Sequence, residues 1–186
     1  MRYRPLMKIF STFLLLLLPF SLFADDVKDT EWFVGLSAGA TGANFSASDL
    51  NTSYAFGPEY GAKIGFRDKN SRVYLGYTIG NDIGSEISKT QSPYIALEGI
   101  GDEFVVAGDS TAKFYFGARI GASFATVNDT TRTAFLGGFQ TGLTFLLPAD
   151  FEIELEYRHY WSYRGDDADF NAGAAALALN YKFAQE

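Results

Sequence analysis

The sequence predicts an all-β protein, an eight-stranded antiparallel up-and-down transmembrane β-barrel. Three observations lead to this fold class. Side-chain polarity changes at every second position in eight segments, which is the period of a β-strand. After residue 24, no segment has the run of about 18 apolar residues that a membrane-spanning helix needs. One face of each segment holds bulky apolar residues, whereas the other holds glycine, alanine and ionic residues.

Residues 1–24 have the pattern of a secretory signal peptide. A basic start is followed by an apolar stretch with five consecutive leucines, and the small residue Ala24 precedes an acidic start. The apolar stretch is short for a membrane anchor, which needs about 20 residues. We therefore expect a signal peptide over residues 1–24, begun at Met1 or Met7, and a barrel domain over residues 25–186.

The first four alternating segments carry large apolar residues on one face. In the first segment, Trp32, Val34 and Leu36 alternate with Gly35 and Ser37. In the fourth, the apolar phase shifts at residues 99–101, and a glycine-associated bulge explains such a shift. These four segments predict strands over residues 32–40, 60–67, 72–79 and 92–106.

The last four segments repeat the pattern with more aromatic residues. Phe114 and Phe116 alternate with Lys113 and Tyr115, and Phe151 begins a strand whose other face holds three glutamates. These segments predict strands over residues 113–124, 135–145, 151–161 and 173–183.

The predicted connections alternate in length. Those at 68–71, 108–111 and 148–150 are short, whereas those at 41–58, 80–91 and 162–169 are longer, and 127–132 is intermediate. Transmembrane barrels have short periplasmic turns and longer outer loops. With an even number of strands, both termini lie on the short-turn side. We therefore expect periplasmic termini and four outer loops, with residues 41–58 as the main surface segment.

The bulk of the apolar side chains indicates whether this face points into the barrel or towards lipid. A soluble eight-stranded carrier would place this face inside, but such an interior is just wide enough to be filled by side chains. The apolar set is too bulky for that space, so we expect it to face lipid. Charges inside must be paired. The predicted structural ion-pair network of the lumen comprises Lys63, Arg67, Arg72, Glu98, Lys113, Arg119, Glu152, Glu154, Glu156 and Arg158.

Aromatic residues near strand ends predict a girdle at the membrane interfaces, as in other membrane barrels. Its expected members are Trp32, Phe66, Tyr157, Trp161, Tyr181 and Phe183.

Composition excludes several classes of site. The chain has no cysteine and one histidine, so cysteine-ligated zinc, iron–sulfur clusters and sites with several imidazoles are excluded. A net charge of −7 argues against nucleic acid as a partner. We expect no cofactor, no metal site and no catalytic residue.

The signal peptide, the eight alternating segments and the last strand, which ends in Phe183, resemble the small Gram-negative outer-membrane β-barrel proteins of the OmpA/OmpX type. The resemblance implies an outer-membrane location, contact with outer-membrane lipid and lipopolysaccharide, and assembly by the barrel-assembly machinery. A terminal aromatic is the feature that this machinery is thought to read, and Phe183 departs in place because three residues follow it. The implied role is non-enzymatic: envelope integrity, or adhesion-like binding of a surface ligand through the loops.

Two other functions stay open at this stage. One is a narrow pore, although ionic side chains would fill its lumen. The other is a lipid A deacylase, because one similar barrel family carries a histidine and a serine two residues apart on a lipid-facing strand. Here Trp161 stands two residues after His159, and Ser162 stands three residues after it, on the other side of a regular strand.

Overall fold

The structure is a computed structural model. It describes residues 30–47, 50–51, 54–84, 87–107, 110–148, 150–163 and 168–184. The predicted signal peptide, residues 1–24, lies outside the described residues.

The described residues form eight long strands and one strand of two residues. The strands are β1 (Glu31–Ala47), β2 (Leu50–Asn51), β3 (Ala55–Arg67), β4 (Ser71–Ile83), β5 (Ile87–Ala107), β6 (Ser110–Val127), β7 (Thr130–Leu146), β8 (Phe151–Tyr163) and β9 (Ala168–Ala184). Within this part of the chain, no helix is long and apolar enough to cross a membrane.

The sheet closes on itself. Each long strand pairs antiparallel with the next one in sequence, and β1 also pairs with β9, from Glu31 opposite Ala184 to Ala47 opposite Ala168. The short β2 only folds back on the last residues of β1. Closure gives the backbone groups of the ring a partner on both sides, as a sheet in hydrocarbon requires. The predicted eight-stranded antiparallel barrel is confirmed.

The two faces have the orientation that the sequence predicts. Phe116 and Leu155 point outward and are 57% and 51% exposed, whereas Arg119 and Glu154 point inward and are 1% and 0% exposed. The predicted irregularity of the fourth strand is also present, because the register between β5 and β6 shifts between Ile100 and Glu103.

The prediction of long outer loops was wrong. We call the barrel end that holds Glu31 and Ala184 the terminal end, and the opposite end the distal end. At the distal end the strands continue through the predicted loops. β1 runs to Ala47 and β3 begins at Ala55, so most of residues 41–58 are strand. Likewise β4 and β5 extend into residues 80–91, and β8 and β9 into residues 162–169. The turn between β6 and β7 consists of Asn128 and Asp129 alone. Both residues have positive φ, as tight hairpin turns favour.

An apolar cluster explains why these extensions fold as strands. It lies inside the barrel at the distal end, and we call it the apolar plug. Its buried members are Ala43, Ile83, Ile87, Ala125, Val127, Leu136, Tyr160, Phe170 and Ala172. Apolar residues therefore point inward here, the reverse of their orientation in the lipid-facing band. Burial in this small core stabilises the strands where they extend beyond their predicted ends.

Candidate functional site

The barrel interior carries ten buried charged side chains among the described residues, five acids and five bases. They are Glu59, Lys63, Arg67, Arg72, Glu98, Arg119, Glu152, Glu154, Glu156 and Arg158. Their formal charges cancel, which reduces the free-energy cost of burying ions.

The centre of the interior is a chain of alternating charges. Lys63 Nζ lies 2.5 Å from Glu154 Oε2 and 3.4 Å from Glu156 Oε2. Arg72 donates from Nη1 to Glu154 and from Nε to Glu98, and so bridges the two carboxylates. These residues come from β3, β4, β5 and β8. Because β8 is not a neighbour of the other three strands in the ring, its pairs with Lys63 and Arg72 cross the lumen.

Arg158 extends this chain towards the distal end. Its Nε lies 3.0 Å from Glu156 Oε1, and its Nη2 lies 2.9 Å from Glu59 Oε1. We call the whole series the central ionic chain: Glu59, Arg158, Glu156, Lys63, Glu154, Arg72 and Glu98.

Neutral hydrogen-bonding groups complete the other end of the central ionic chain. Tyr74 Oη donates to Glu98 Oε1 at 2.7 Å, and Gln140 Nε2 donates to the same carboxylate oxygen. Thr144 Oγ1 donates to Glu154 Oε1 at 3.4 Å. Hydrogen bonds of this kind satisfy carboxylate lone pairs that the cations leave free.

A second ionic group lies near the terminal end. Arg67 Nη1 donates to both oxygens of Glu152, at 2.6 and 2.7 Å. Lys182 Nζ lies 3.7 Å from Glu152 Oε1 and 3.9 Å from Glu31 Oε2. Because Glu31 is partly exposed, this group extends towards solvent.

Arg119 is buried in a different way. Its guanidinium makes no hydrogen bond or ion pair with any described residue. The guanidinium carbon instead lies 3.7 Å from the ring centroid of Tyr94 and 5.2 Å from that of Tyr160. Gly138 lies between Arg119 and Tyr160 in the sheet register, and its missing side chain lets the two approach.

Lys113 does not join the ionic groups. It is half-buried, pairs in register with Glu103, and makes no ion pair within the described part of the chain. The physical reason is its position on the β5–β6 hairpin. On the β7 side Lys113 pairs with Thr144, but on the β5 side the β4–β5 register ends at Gly99, and residues 101–107 opposite Lys113 are exposed.

Glu59 is a lumen residue that lies outside the predicted strands. The stretch ending at Pro58 is typical of a loop, so the predicted strand begins at Tyr60. Glu59 stands four positions before Lys63, so strand alternation puts both side chains on the inward face. This even spacing is the sequence signal that would have identified Glu59 as a lumen residue.

The residues of the expected aromatic girdle all lie outward and exposed. They are Trp32, Phe66, Tyr157, Trp161, Tyr181 and Phe183.

The six residues of the aromatic girdle form two groups. At the terminal end, the rings of Trp32 and Phe66 lie 6.0 Å apart, as do those of Tyr181 and Phe183. Nearer the distal end, Tyr157 and Trp161 flank Phe139, at 6.2 and 6.1 Å. We call the second group, with His159, the distal aromatic belt.

His159 lies within this belt. Its ring stacks on Phe139 at 5.7 Å and meets Trp161 edge-on at 4.8 Å. The registers of β8 with β7 and β9 run to Tyr163 without a shift. Positions 159 and 162 therefore belong to opposite faces of a regular strand. Among the residues the structure describes, no group of three or more acids or histidines could hold a metal ion.

Comparison with solved structures identifies the architecture. Neisserial surface protein A matches with a TM-score of 0.56 and 15% identity, over 81% of this chain and 97% of that protein. Outer membrane protein H (OprH) of Pseudomonas aeruginosa matches with a TM-score of 0.54 and 18% identity, over 82% and 99%. The N-terminal β-barrel domain of OprF from P. aeruginosa matches with a TM-score of 0.50 and 15% identity, over 80% and 97%.

The fold is that of the small outer-membrane β-barrels. No protein-family model matches the sequence, and no curated protein matches it. The likeness therefore concerns the path of the backbone around a closed eight-stranded ring. It carries no information about the side chains of the lumen.

Proposed function

We propose that this protein is a non-enzymatic integral outer-membrane β-barrel. Its role is to reinforce the envelope or to present its distal hairpins for adhesion-like surface binding. One observation carries the proposal: a closed ring of strands with large apolar side chains outward and a charge-balanced ionic interior. In water the outward face would be unfavourably exposed, whereas in a bilayer it matches its surroundings.

The proposal includes an orientation. The terminal end faces the periplasm, so both chain termini are periplasmic after removal of residues 1–24. The distal hairpins then reach the cell surface. The partners in this arrangement are outer-membrane lipid and lipopolysaccharide, and the barrel-assembly machinery during biogenesis.

The ionic interior supports a structural role over conduction. Arg72, Arg119 and Arg158 are among the largest fully buried side chains. Their displacement would break buried ion pairs or expose the apolar plug, so we expect no steady current through single proteins in planar bilayers. Reproducible unitary conductance from the pure protein would contradict this.

The main test is fractionation followed by gel electrophoresis. We expect the full chain, expressed in a Gram-negative host, to be in the outer membrane and to migrate differently before and after boiling in detergent. A variant lacking residues 168–184 cannot close the ring and should show no such shift. Recovery of the intact chain in the soluble periplasm would overturn the proposal. The enzyme alternative is tested separately, because lipopolysaccharide deacylation that disappears in His159→Ala would contradict a non-enzymatic role.

A further inference from the structure

A small polar cleft lies on the outer surface of the barrel at Gly173. A β-carbon built on this glycine would stand 3.5 Å from Tyr157 Oη, 3.6 Å from His159 Nδ1 and 3.6 Å from Tyr54 Oη. Three polar side-chain atoms therefore converge on one point of the surface, two from β8 and one from Tyr54, which precedes β3. Gly173 itself leaves that point empty, because it has no side chain.

The sheet register builds this cleft. Gly173 pairs with His159 on one side and with Gly42 on the other. The rings of Tyr54 and Phe56 cover Gly42, at 2.6 Å from its β-carbon position. The two glycines thus form a floor, and the aromatic rings form its walls.

The converging groups have free hydrogen-bonding capacity. Tyr54 Oη, Tyr157 Oη and the imidazole of His159 make no hydrogen bond with any residue in the described ranges. The ring of His159 is held between Phe139 and Trp161, so packing and not hydrogen bonding sets its direction. Such a prearranged group loses little conformational entropy when a ligand binds.

The chemistry of these groups favours hydroxyl ligands. Both phenols can donate and accept hydrogen bonds, and a neutral imidazole has one nitrogen for each purpose. A sugar hydroxyl also does both. Ionised phosphate only accepts, and proteins bind it chiefly with arginine and lysine, which none of these three residues is.

The surroundings favour a ligand with an apolar tail. Ala175 and Leu177 follow Gly173 on the outward face of β9 and are exposed in the lipid-facing band. The exposed rings of Tyr54 and Trp161 flank the cleft and can stack on a sugar ring.

We propose that the cleft formed by Tyr54, Tyr157, His159 and Gly173 binds the sugar headgroup of a membrane glycolipid whose acyl chains lie along β9. This inference rests on the proposed function, because the cleft faces lipid only in a membrane-spanning barrel.

Tryptophan fluorescence can test the proposal on the full-length mature chain. The sequence has two tryptophans, and Trp32→Phe leaves Trp161, beside His159, as the reporter. This protein is reconstituted into phosphatidylcholine vesicles with increasing fractions of one added lipid. The added lipids are a monoglucosyl diacylglycerol, diacylglycerol without a headgroup, and phosphatidic acid, all with the same acyl chains.

Two variants block the cleft, and each has a matched control. Gly173→Ala places a methyl group at ordinary contact distance from the three polar atoms, so the barrel should fold with the cleft filled. Its control is Gly137→Ala, another outward glycine, which pairs in register with Trp161 and whose β-carbon would meet only Phe135 at 3.7 Å. Tyr157→Phe removes one hydroxyl, and its control is Tyr181→Phe at the terminal end.

We expect the glucosyl lipid alone to give a saturable change in Trp161 emission. Tyr157→Phe should raise the half-saturating fraction about fivefold, the effect of one neutral hydrogen bond, and Gly173→Ala should raise it at least as much. Both controls should leave it unchanged. An equal response to diacylglycerol or phosphatidic acid, no response to the glucosyl lipid, or equal effects in controls would overturn the proposal. Failure of the protein to insert at all, seen as loss of the heat-dependent gel shift, would instead count against the proposed function.

Discussion

The guanidinium of Arg119 lies 3.7 Å from the ring centroid of Tyr94 and makes no ion pair with any described residue. Arg72 is buried to the same degree but bridges two carboxylates, Glu98 and Glu154. The interior thus holds two buried arginines in opposite electrostatic settings. Removing Arg72 leaves buried anions uncompensated, whereas removing Arg119 takes away a cation whose contacts are aromatic.

Replacing each arginine with methionine should separate these settings. We expect Arg72→Met to lower the free energy of unfolding by about 3–5 kcal/mol, the usual effect of leaving a buried partner charge unpaired. Arg119→Met should lower it by about 2 kcal/mol, the size of a desolvated cation–π contact. Urea unfolding in phospholipid vesicles measures both. Equal losses would show that Arg119 has an ionic partner after all.

Two adjacent glycines offer a test of which face points inward. An alanine β-carbon at Gly138 would lie 2.3 Å from the carbonyl oxygen of His159 and 2.7 Å from Tyr160 Cα, whereas at Gly137 it would meet only Phe135, at 3.7 Å. We expect Gly138→Ala to destabilise the barrel by about 1–3 kcal/mol, as overpacking does. Gly137→Ala should change stability by less than about 0.5 kcal/mol. The same unfolding assay applies, and the reverse order would contradict the orientation of β7.

Sequence alternation predicted the ring but not the length of its strands, and the apolar plug shows why. Within the lipid-facing band, apolar residues mark outward positions. At the distal end, Ile83, Ile87 and Val127 point inward, whereas their polar neighbours Asp82, Ser88 and Asn128 are exposed, so the meaning of the pattern reverses. A rule that assigns apolar residues to the outward face along the whole strand therefore predicts loops for these extensions.

The sequence largely predicted which charged residues lie inside the barrel, but it did not predict which of them pair. The position of each residue in the alternating pattern of its strand shows that Arg72 and Arg119 point inward. It does not show that Arg72 meets Glu154, 82 residues away, while Arg119 meets rings. Which inward side chains meet depends on strand order, stagger and side-chain length together. The same holds for the cleft at Gly173, where β9 meets both β8 and β1.

A lysine placed on the outward face should reveal the membrane band. We expect Leu155→Lys to lower the free energy of unfolding from lipid vesicles by about 2–4 kcal/mol, because a charge near the bilayer midplane is poorly solvated. The matched control is Thr131→Lys, at an exposed position on the distal hairpin, where the change should be below about 0.5 kcal/mol. Similar small effects at both positions would contradict a bilayer around β8.

The turn between β3 and β4 should make stability depend on pH. Partial burial raises the pKa of the Asp68 carboxyl, but the N–H groups of Asn70 and Ser71 donate to Oδ1, both at 2.7 Å, and Ser71 Oγ donates to Oδ2 at 2.9 Å. These hydrogen bonds outweigh burial and leave the pKa below its ordinary value.

Since the folded pKa lies below the unfolded value of about 3.9, the Asp68 carboxylate stabilises the fold above the unfolded pKa. That contribution is lost as the pH falls through the folded pKa. Asp68→Asn should therefore be less stable than the wild type at neutral pH and equal to it in strong acid. Solvent screening keeps the difference small at this exposed turn. Unfolding curves at several pH values measure the difference in stability between wild type and Asp68→Asn. Ser71→Ala, which removes one donor, should reduce the pH dependence without abolishing it. A difference between wild type and Asp68→Asn that persists unchanged in acid would show that the hydrogen bonds do not depend on the carboxylate charge.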